Sequence, residues 1–282
     1  MHTLKNNLLE AVISPLGAEL QGLIHVNHGN VLWRKNETHW NRISPILFPI
    51  VGRLINDQYN HLGKTYAMRQ HGFARDQIFQ VMDENQCSIT YRLQENNTTL
   101  GHYPFAFTLD VCYTLQDNRI EVSHRITNRD NDVLLYSIGG HPGFHVSGKL
   151  ENHTLYFDGQ FTVDQHLITG NYYNGNTKKL RLNHAFPLSE DLFQSDAIVV
   201  KNPPFRSIGF GEKNGPKWLT VHCEDWTAVG LWTKPGAPFF CIEPWWGWAD
   251  AWDTEGILVQ KAGILSLPHG EIREHRYTIE IH

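Results

Sequence analysis

The chain has 282 residues, and its 24 Lys and Arg against 29 Asp and Glu give a formal charge of −5 at pH 7. This acidic balance argues against nucleic acid as a partner, because phosphate backbones are bound through a basic stripe. Hydrophobic residues make up 41% of the chain and charged residues 19%, which is typical of a globular protein and not of a disordered one.

The start of the chain carries no targeting pattern. Residues 1–17 lack the charged start, apolar middle and small-residue cleavage site of a signal peptide, so we expect a cytoplasmic protein. The apolar stretch at residues 43–55 is interrupted by two prolines, a glycine and an arginine, and cannot supply the roughly 20 apolar residues of a spanning helix. We expect no membrane partner. The four cysteines form no C-x-x-C pair and are expected to be free, mostly buried thiols.

Period-two alternation of apolar residues is the dominant pattern, and it predicts antiparallel strands. It is clearest from Phe105 to Leu115 and returns at Cys87–Leu93, Ile120–Ile126, Leu219–Cys223 and Tyr277–Ile281. Turn sequences predict hairpins at three places: Asp117-Asn118, Lys213–Pro216 and Asp158-Gly159.

Helical patterns are confined to short pieces at residues 38–41 and 189–193, each too brief to form a packed layer. No linker, composition shift or repeat marks a boundary, so we expect one domain over residues 1–282. So many strands cannot remain one open twisted sheet. The sequence therefore predicts an all-β protein, either a large sandwich of two sheets or a closed barrel.

Three short stretches could carry chemistry. In the first, His141 lies between Gly140 and Pro142-Gly143, which predicts a tight loop that presents the imidazole at a strand end. His145 follows four residues later, but the intervening Pro-Gly forbids the helix that would place both imidazoles on one metal-binding face.

The second stretch runs from Phe239 to Trp252, where Glu243 follows a continuous apolar run and precedes a proline. A carboxylate at the inner end of a buried strand requires a partner or a function. Four tryptophans, among them Trp245 and Trp246, lie within eight residues, and their flat faces suit a pyranose ring. An aromatic core with Glu243 paired to a structural arginine is the alternative interpretation.

The third stretch contains His71, next to Gly72, and Arg75, with Arg53 upstream. Both guanidinium groups offer rigid forks of donors for hydroxyl or carboxylate oxygens, although either could instead be a salt-bridged scaffold residue. Two histidines, a carboxylate, arginines and tryptophans, without a metal-binding spacing, a phosphate loop or a G-x-S-x-G elbow, indicate acid–base chemistry on a carbohydrate.

These stretches resemble the aldose 1-epimerase (mutarotase) superfamily, and more narrowly its LacX-like branch. The matching segments occur in the family's order and are spread over most of the chain: Val51–Arg53, His71–Arg75, Gly140–Phe144 and Cys241–Trp245. The resemblance implies a large antiparallel β-sandwich that interconverts the α and β anomers of a free aldose.

The resemblance also implies roles for individual residues. Glu243 would be the general base on the C1 hydroxyl and His141 the general acid at the ring oxygen. His71 would hydrogen-bond the same region, Arg53 would hold sugar hydroxyls, and Asp196 would complete the pocket, with Asp191 as a competitor for that position. We expect Trp245 and Trp246 to bind the sugar as well.

Two proton-transfer groups suffice for this reaction, since mutarotation already proceeds slowly in water, so we expect no cofactor and no metal. The expected partner is a small aldose, and the protein is expected to be a monomer or a homodimer. Two alternatives remain open. One is a sugar-binding protein without turnover, and the other is a metal-dependent enzyme that uses His71, His141, His145 and Glu243 as ligands.

Overall fold

The computed structural model describes residues 1–282 and consists almost entirely of strands. The strands are β1 (His2–Lys5), β2 (Leu9–Ile13), β3 (Leu20–His25), β4 (Gly29–Asn30), β5 (Ile46–Leu47), β6 (Gln58–His61), β7 (Lys64–Ala67), β8 (Gln80–Glu84), β9 (Ser88–Gln94), β10 (Phe107–Gln116), β11 (Arg119–Asn128), β12 (Leu134–Tyr136), β13 (Ile138–Gly140), β14 (Gly143–His145), β15 (His153–Tyr156), β16 (Phe161–Thr169), β17 (Tyr172–Leu182), β18 (Ala185–Pro187), β19 (Ile198–Lys201), β20 (Ser207–Glu212), β21 (Lys217–His222), β22 (Ala228–Trp232), β23 (Phe239–Trp246), β24 (Leu265–Leu267) and β25 (Ile272–Ile281).

Helical structure is limited to short segments. The α-helix α1 spans Asn97–His102, and single 3-10 turns occupy Ile55–Asp57, Ala74–Asp76, Leu150–Asn152, Glu190–Phe193 and Leu258–Gln260. None of these helices has the length and apolar character that crossing a membrane requires.

Two large antiparallel sheets form the body of the protein. The first has nine strands in the order β18-β15-β20-β21-β25-β11-β10-β9-β8, and the second has eight in the order β17-β16-β19-β22-β23-β13-β5, with β14 also paired to β23. In the first sheet β25 is the strand that joins β21 on one side to β11 on the other. Small sheets of β1–β4, β12 with β24, and β6 with β7 flank this body.

The inner faces of the two sheets meet in a core of 63 buried residues. Phe210 on β20 stacks on Phe240 on β23 with ring centroids 5.5 Å apart, so the sheets are in direct contact. The alternation in β10 buries Leu109, Val111 and Tyr113 in this core, as its pattern predicts. The prediction of an all-β protein is confirmed, and the structure selects the sandwich over the closed barrel.

Most predicted turns connect paired strands. Asp117-Asn118 joins β10 to β11, and residues 213–216 join β20 to β21. The hairpin predicted at Asp158-Gly159 is wrong. Strand β15 lies in the nine-stranded sheet and β16 in the eight-stranded sheet, so this turn carries the chain from one sheet to the other. Turn residues predict a reversal of the chain, but they do not specify the sheet that receives the next strand.

The helical piece predicted at residues 38–41 is also wrong. The Asn36 side chain accepts a hydrogen bond from the His39 backbone N–H at 2.9 Å, and the Asn36 N–H donates to the Trp40 carbonyl at 3.1 Å. This local turn competes with a helix for the same backbone groups. All four cysteines are free, with Cys223 and Cys241 buried and Cys87 and Cys112 partly exposed.

Candidate active site

Strand β23 lies at the centre of the site because it is buried along its whole length and has neighbours on both sides. Successive side chains of a strand point to opposite faces. Phe240, Ile242 and Trp246 therefore point into the main core, whereas Glu243 and Trp245 point to the other face of the sheet. One face of β23 therefore contributes to the core, and the other face places the Glu243 carboxyl group at the site.

His141 is placed opposite Glu243 by the register of the neighbouring strands. Gly139 on β13 pairs with Trp245, and Gly143 on β14 pairs with Cys241. Extending that register across Pro142 puts His141 opposite Glu243. The loop is held there because the His141 backbone N–H donates to the Pro45 carbonyl at 3.1 Å.

A cavity of about 500 Å³ opens on this face of the eight-stranded sheet, a size suited to a small-molecule ligand. It includes five residues that the sequence proposed for the site: His71, His141, Asp196, Glu243 and Trp245. Its aromatic walls also include Trp40, Tyr173, Phe193 and Trp232, and its charged groups also include Arg75 and Lys234. The cavity is therefore both polar at its base and flanked by flat rings.

Glu243 and His141 form a close pair, with Nε2 of His141 3.2 Å from Oε2 of Glu243. Burial raises the pKa of Glu243 well above its usual value, and the nearby Asp196 adds to this effect, while the Trp245 indole N–H opposes it. Burial lowers the pKa of His141 to about 3, with a further contribution from Arg75. The raised pKa of Glu243 and the lowered pKa of His141 both favour a neutral pair, in which a protonated carboxyl lies beside a neutral imidazole.

His71 is fixed in one tautomer by its backbone neighbours. Its Nδ1 accepts a hydrogen bond from the Gly52 N–H at 3.1 Å, so Nε2 carries the proton in the neutral ring, where it lies 3.3 Å from the side-chain amide of Gln70. Burial, followed by the charges of His141 and Arg75, lowers the pKa of His71 well below its usual value. The ring stands edge-on to His141 with centroids 5.7 Å apart. His71 therefore offers an N–H donor beside the carboxyl–imidazole pair.

The tight backbone around His71 depends on glycine. A Cβ at Gly72 would lie 2.2 Å from the Phe48 carbonyl oxygen, and φ at this residue is +69°. His71 itself has φ of +66°, which is uncommon for a residue other than glycine. The two conformations turn the chain sharply and place the imidazole at the cavity.

The structure does not bring Arg53 into the cavity. Its guanidinium donates to both carboxylate oxygens of Asp57, at 2.7 and 2.6 Å, and lies over the ring of Tyr172. Arg75 lines the cavity in its place. Its guanidinium donates to the Gln70 carbonyl at 2.6 Å, and its buried Nε has no partner. Sequence reasoning noted Arg75 but could not separate the two arginines, because ion pairing is decided by the fold.

Trp246 does not line the cavity either, since it follows Trp245 on a strand and points to the opposite face. Its indole N–H donates to Asp225 at 3.1 Å, and its ring packs on His275 in the core. Two tryptophans that the sequence did not assign to the site take part instead. Trp40 packs on His141 with centroids 4.8 Å apart, and Trp232 meets the same imidazole edge-on at 5.5 Å.

Asp196 lies at the cavity, whereas Asp191 is exposed on a 3-10 turn and does not line it. The Asp196 carboxylate accepts a hydrogen bond from the Ala197 N–H at 2.7 Å. Burial raises the pKa of Asp196. Of the two aspartates that the sequence left in competition, the geometry favours Asp196.

The fold and the cavity define the class of protein. A family model described as aldose 1-epimerase matches residues 1–256. The galactose mutarotase related enzyme from Lactobacillus acidophilus has 32% sequence identity and a TM-score of 0.96, over 100% of this chain and 97% of that one. A galactose mutarotase-like protein from Lactobacillus casei ATCC 334 has 30% identity and a TM-score of 0.93, over all of both chains. The fold is therefore that of the galactose mutarotase-like proteins.

A further relative is the chromosomal LacX protein of Lactococcus lactis subsp. lactis, which is 29% identical over an alignment of 296 positions. The alignment covers 99% of this chain and 98% of LacX. The chain belongs to the aldose 1-epimerase family, and the resemblance to its LacX-like members is confirmed.

Proposed function

We propose that the protein is an aldose 1-epimerase that interconverts the α and β anomers of a free aldose. The contact of 3.2 Å between Glu243 and His141, at the base of a cavity with aromatic walls, is the observation that carries this proposal. The two oxygens that exchange protons in the reaction are bonded to the same carbon of the sugar. A base and an acid that lie side by side can therefore serve both.

The pair holds one dissociable proton in its neutral form. When a sugar is bound, transfer of that proton from Glu243 to His141 produces a carboxylate base and an imidazolium acid. Glu243 then takes the proton of the C1 hydroxyl, the C1–O1 double bond forms, the C1–O5 bond breaks, and O5 receives the proton of His141. The pair is again neutral after ring opening.

Rotation about the C1–C2 bond then presents the other face of the aldehyde. Ring closure runs through the same steps in reverse, so Glu243 returns its proton to O1 and His141 takes one from O5. The neutral pair favoured by burial is thus the protonation state of Glu243 and His141 while the sugar is an open-chain aldehyde. No group outside the pair has to supply or remove a proton.

The other cavity residues would hold the sugar in place. His71 can donate from Nε2, Arg75 lines the cavity with a guanidinium group that carries N–H donors, and Asp196 can accept from hydroxyl groups. The faces of Trp245 and its neighbours suit the C–H surface of a pyranose. Each of these groups binds without entering the proton exchange.

The test measures the rate of anomer exchange by polarimetry or NMR for a panel of free aldoses. We expect Glu243→Gln and His141→Gln each to lower the rate by about 10²- to 10⁴-fold, the contribution of a positioned acid or base. Asp191→Asn is the matched control, because this exposed carboxylate lies off the cavity. One outcome would contradict the proposal: tryptophan fluorescence shows that the sugar binds, but the rate of anomer exchange shows no increase that depends on Glu243. That outcome would identify a sugar-binding protein.

A further inference from the structure

The sulfur of Cys241 lies next to the carboxyl–imidazole pair. Cys241 and Glu243 are two residues apart on β23, so their side chains point to the same face of the sheet. One donor atom each from His141, Cys241 and Glu243 lie within 4.8 Å of one another, and all three residues are buried. No spacing in the sequence predicts this cluster, because its histidine is 100 residues away from its cysteine.

The three donors match a known pattern of zinc coordination. Zinc is bound by thiolate, imidazole and carboxylate at about 2.0 to 2.3 Å, and non-structural sites use three protein ligands with one open position. The distance of 3.2 Å between His141 Nε2 and Glu243 Oε2 is close to the roughly 3.3 Å that two such ligands have around a tetrahedral ion. His141 and Glu243 both line the cavity, so the open position would face it.

Charge also favours an ion at this place. Oε2 of Glu243 is buried and has no hydrogen-bond partner. A divalent ion bound by one thiolate and one carboxylate forms a site with no net charge, which avoids an uncompensated charge in the interior. Binding needs the Cys241 thiol and the Glu243 carboxyl each to lose a proton, and both protons are released to solvent.

We infer that His141, Cys241 and Glu243 form an inhibitory site for a zinc-type ion. The ion takes the lone pair of the imidazole and the carboxylate oxygen, so neither group can exchange protons with a sugar while the ion is bound. The inhibitory effect rests on the proposed function, whereas the coordination does not. The ion and the sugar compete for the same cavity.

The coordination is tested with Co²⁺, because a bound thiolate gives cobalt a sulfur-to-metal charge-transfer band in the near ultraviolet. We expect one Co²⁺ per chain, displaced by Zn²⁺. Cys241→Ala should lose the band and weaken Zn²⁺ binding more than about 100-fold, since a direct ligand is removed. Cys223→Ala is the matched control, because Cys223 is also buried but lies outside this cluster.

Inhibition is measured separately, as the rate of anomer exchange against Zn²⁺ concentration. We expect Zn²⁺ to compete with the sugar in the unaltered protein and in Cys223→Ala. Cys241→Ala should resist inhibition by Zn²⁺, and its rate without metal should stay near that of the unaltered protein. A chain that shows no sulfur-to-cobalt band, or the same band and Zn²⁺ affinity in Cys241→Ala, overturns the site. If the ion binds but the protein has no epimerase activity, the metal site stands and only the proposed function is contradicted.

Discussion

The indole of Trp245 lies directly over the backbone of Gly230. A Cβ at Gly230 would be 2.6 Å from ring carbon Cζ2, closer than any side chain could remain. Gly139 is in contact with the other end of the ring, where a Cβ would be 2.8 Å from Cδ1. Two strands thus leave room for one flat ring, which can lie along the sheet and form a wall of the cavity.

Gly230→Ala should therefore displace the Trp245 ring toward the cavity. Because a shift of about 1 Å at a binding surface can cost 10²-fold in rate, we expect kcat/KM for anomer exchange to fall by about 10- to 100-fold, mainly through KM. Steady-state kinetics and sugar titration check this expectation. Gly101→Ala is the control, since Gly101 lies on α1 with no atom within 4 Å of the added methyl group. Equal kinetics in both variants would contradict the role of the ring.

The two arginines should respond differently to the same change. Arg75 has no carboxylate partner and faces the cavity, so Arg75→Lys should raise the KM for the sugar by about tenfold through loss of the fork of donors. Arg53→Lys disturbs an ion pair whose side chains are 33% exposed at Arg53 and 43% exposed at Asp57, so it should leave the kinetics unchanged and cost less than about 1 kcal/mol of stability. A larger kinetic effect at Arg53 would show that Arg53 moves into the cavity when sugar binds.

The sequence predicts the strands well because period-two alternation is set by local burial, as β10 and β11 show. Alternation does not separate a sandwich from a closed barrel, and only the family resemblance implied the sandwich. It also predicts Glu243 and His141, since a buried carboxylate and a glycine-flanked histidine are unusual in any strand or loop. It assigns Trp246 to the site, although alternation along a strand excludes two successive tryptophans from one face. Trp40 leaves no local signal, because only the fold brings its segment to the pair. Cys241 lies two residues before Glu243 on β23, so it shares the face of Glu243, but the fold alone brings His141 to both.

The burial of His124 should make the free energy of unfolding depend on pH. It is fully buried on β11, and neither ring nitrogen has a hydrogen-bond partner. Burial, reinforced by His275, lowers its pKa from 6.5 to about 3. Below pH 6.5 the unfolded chain binds a proton that the folded chain does not, so stability is lost as the pH falls from 6.5 toward 3. His124 alone contributes a slope of about 1.4 kcal/mol per pH unit in this range.

His124→Leu should remove this slope and, by removing two unpartnered polar atoms, raise the free energy of unfolding at pH 7 by about 1 kcal/mol. Urea denaturation at several pH values between 4 and 7 measures both effects. His124→Asn separates them, because an amide does not titrate but remains a buried polar group. We expect it to reduce the slope without the gain at pH 7. An unchanged slope in both variants would mean that His124 is protonated in the folded protein.

Lys261 and Asp250 form a buried ion pair, with Nζ 3.1 Å from Oδ1. Lys261 also donates to the Trp248 carbonyl at 2.6 Å, and Asp250 accepts from the Ile55 N–H at 2.9 Å. Lys261→Met leaves the carboxylate buried and unpaired, so we expect a loss of about 3 to 5 kcal/mol in urea denaturation. The double variant with Asp250→Leu should lose less than Lys261→Met alone. A larger loss in the double variant would show that the carboxylate is stabilised by the backbone and not by the lysine.

The position of β25 constrains the order in which the chain can assemble. The four strands from β8 to β11 and the four on the other side, β15, β18, β20 and β21, are joined only through β25. On the ribosome, both halves of the nine-stranded sheet therefore emerge before the segment that joins them. Each half presents an unpaired edge until residues 272–281 are made, and such edges invite association with other chains. Pairing of β25 with β21 and β11 removes both of these unpaired edges in one step.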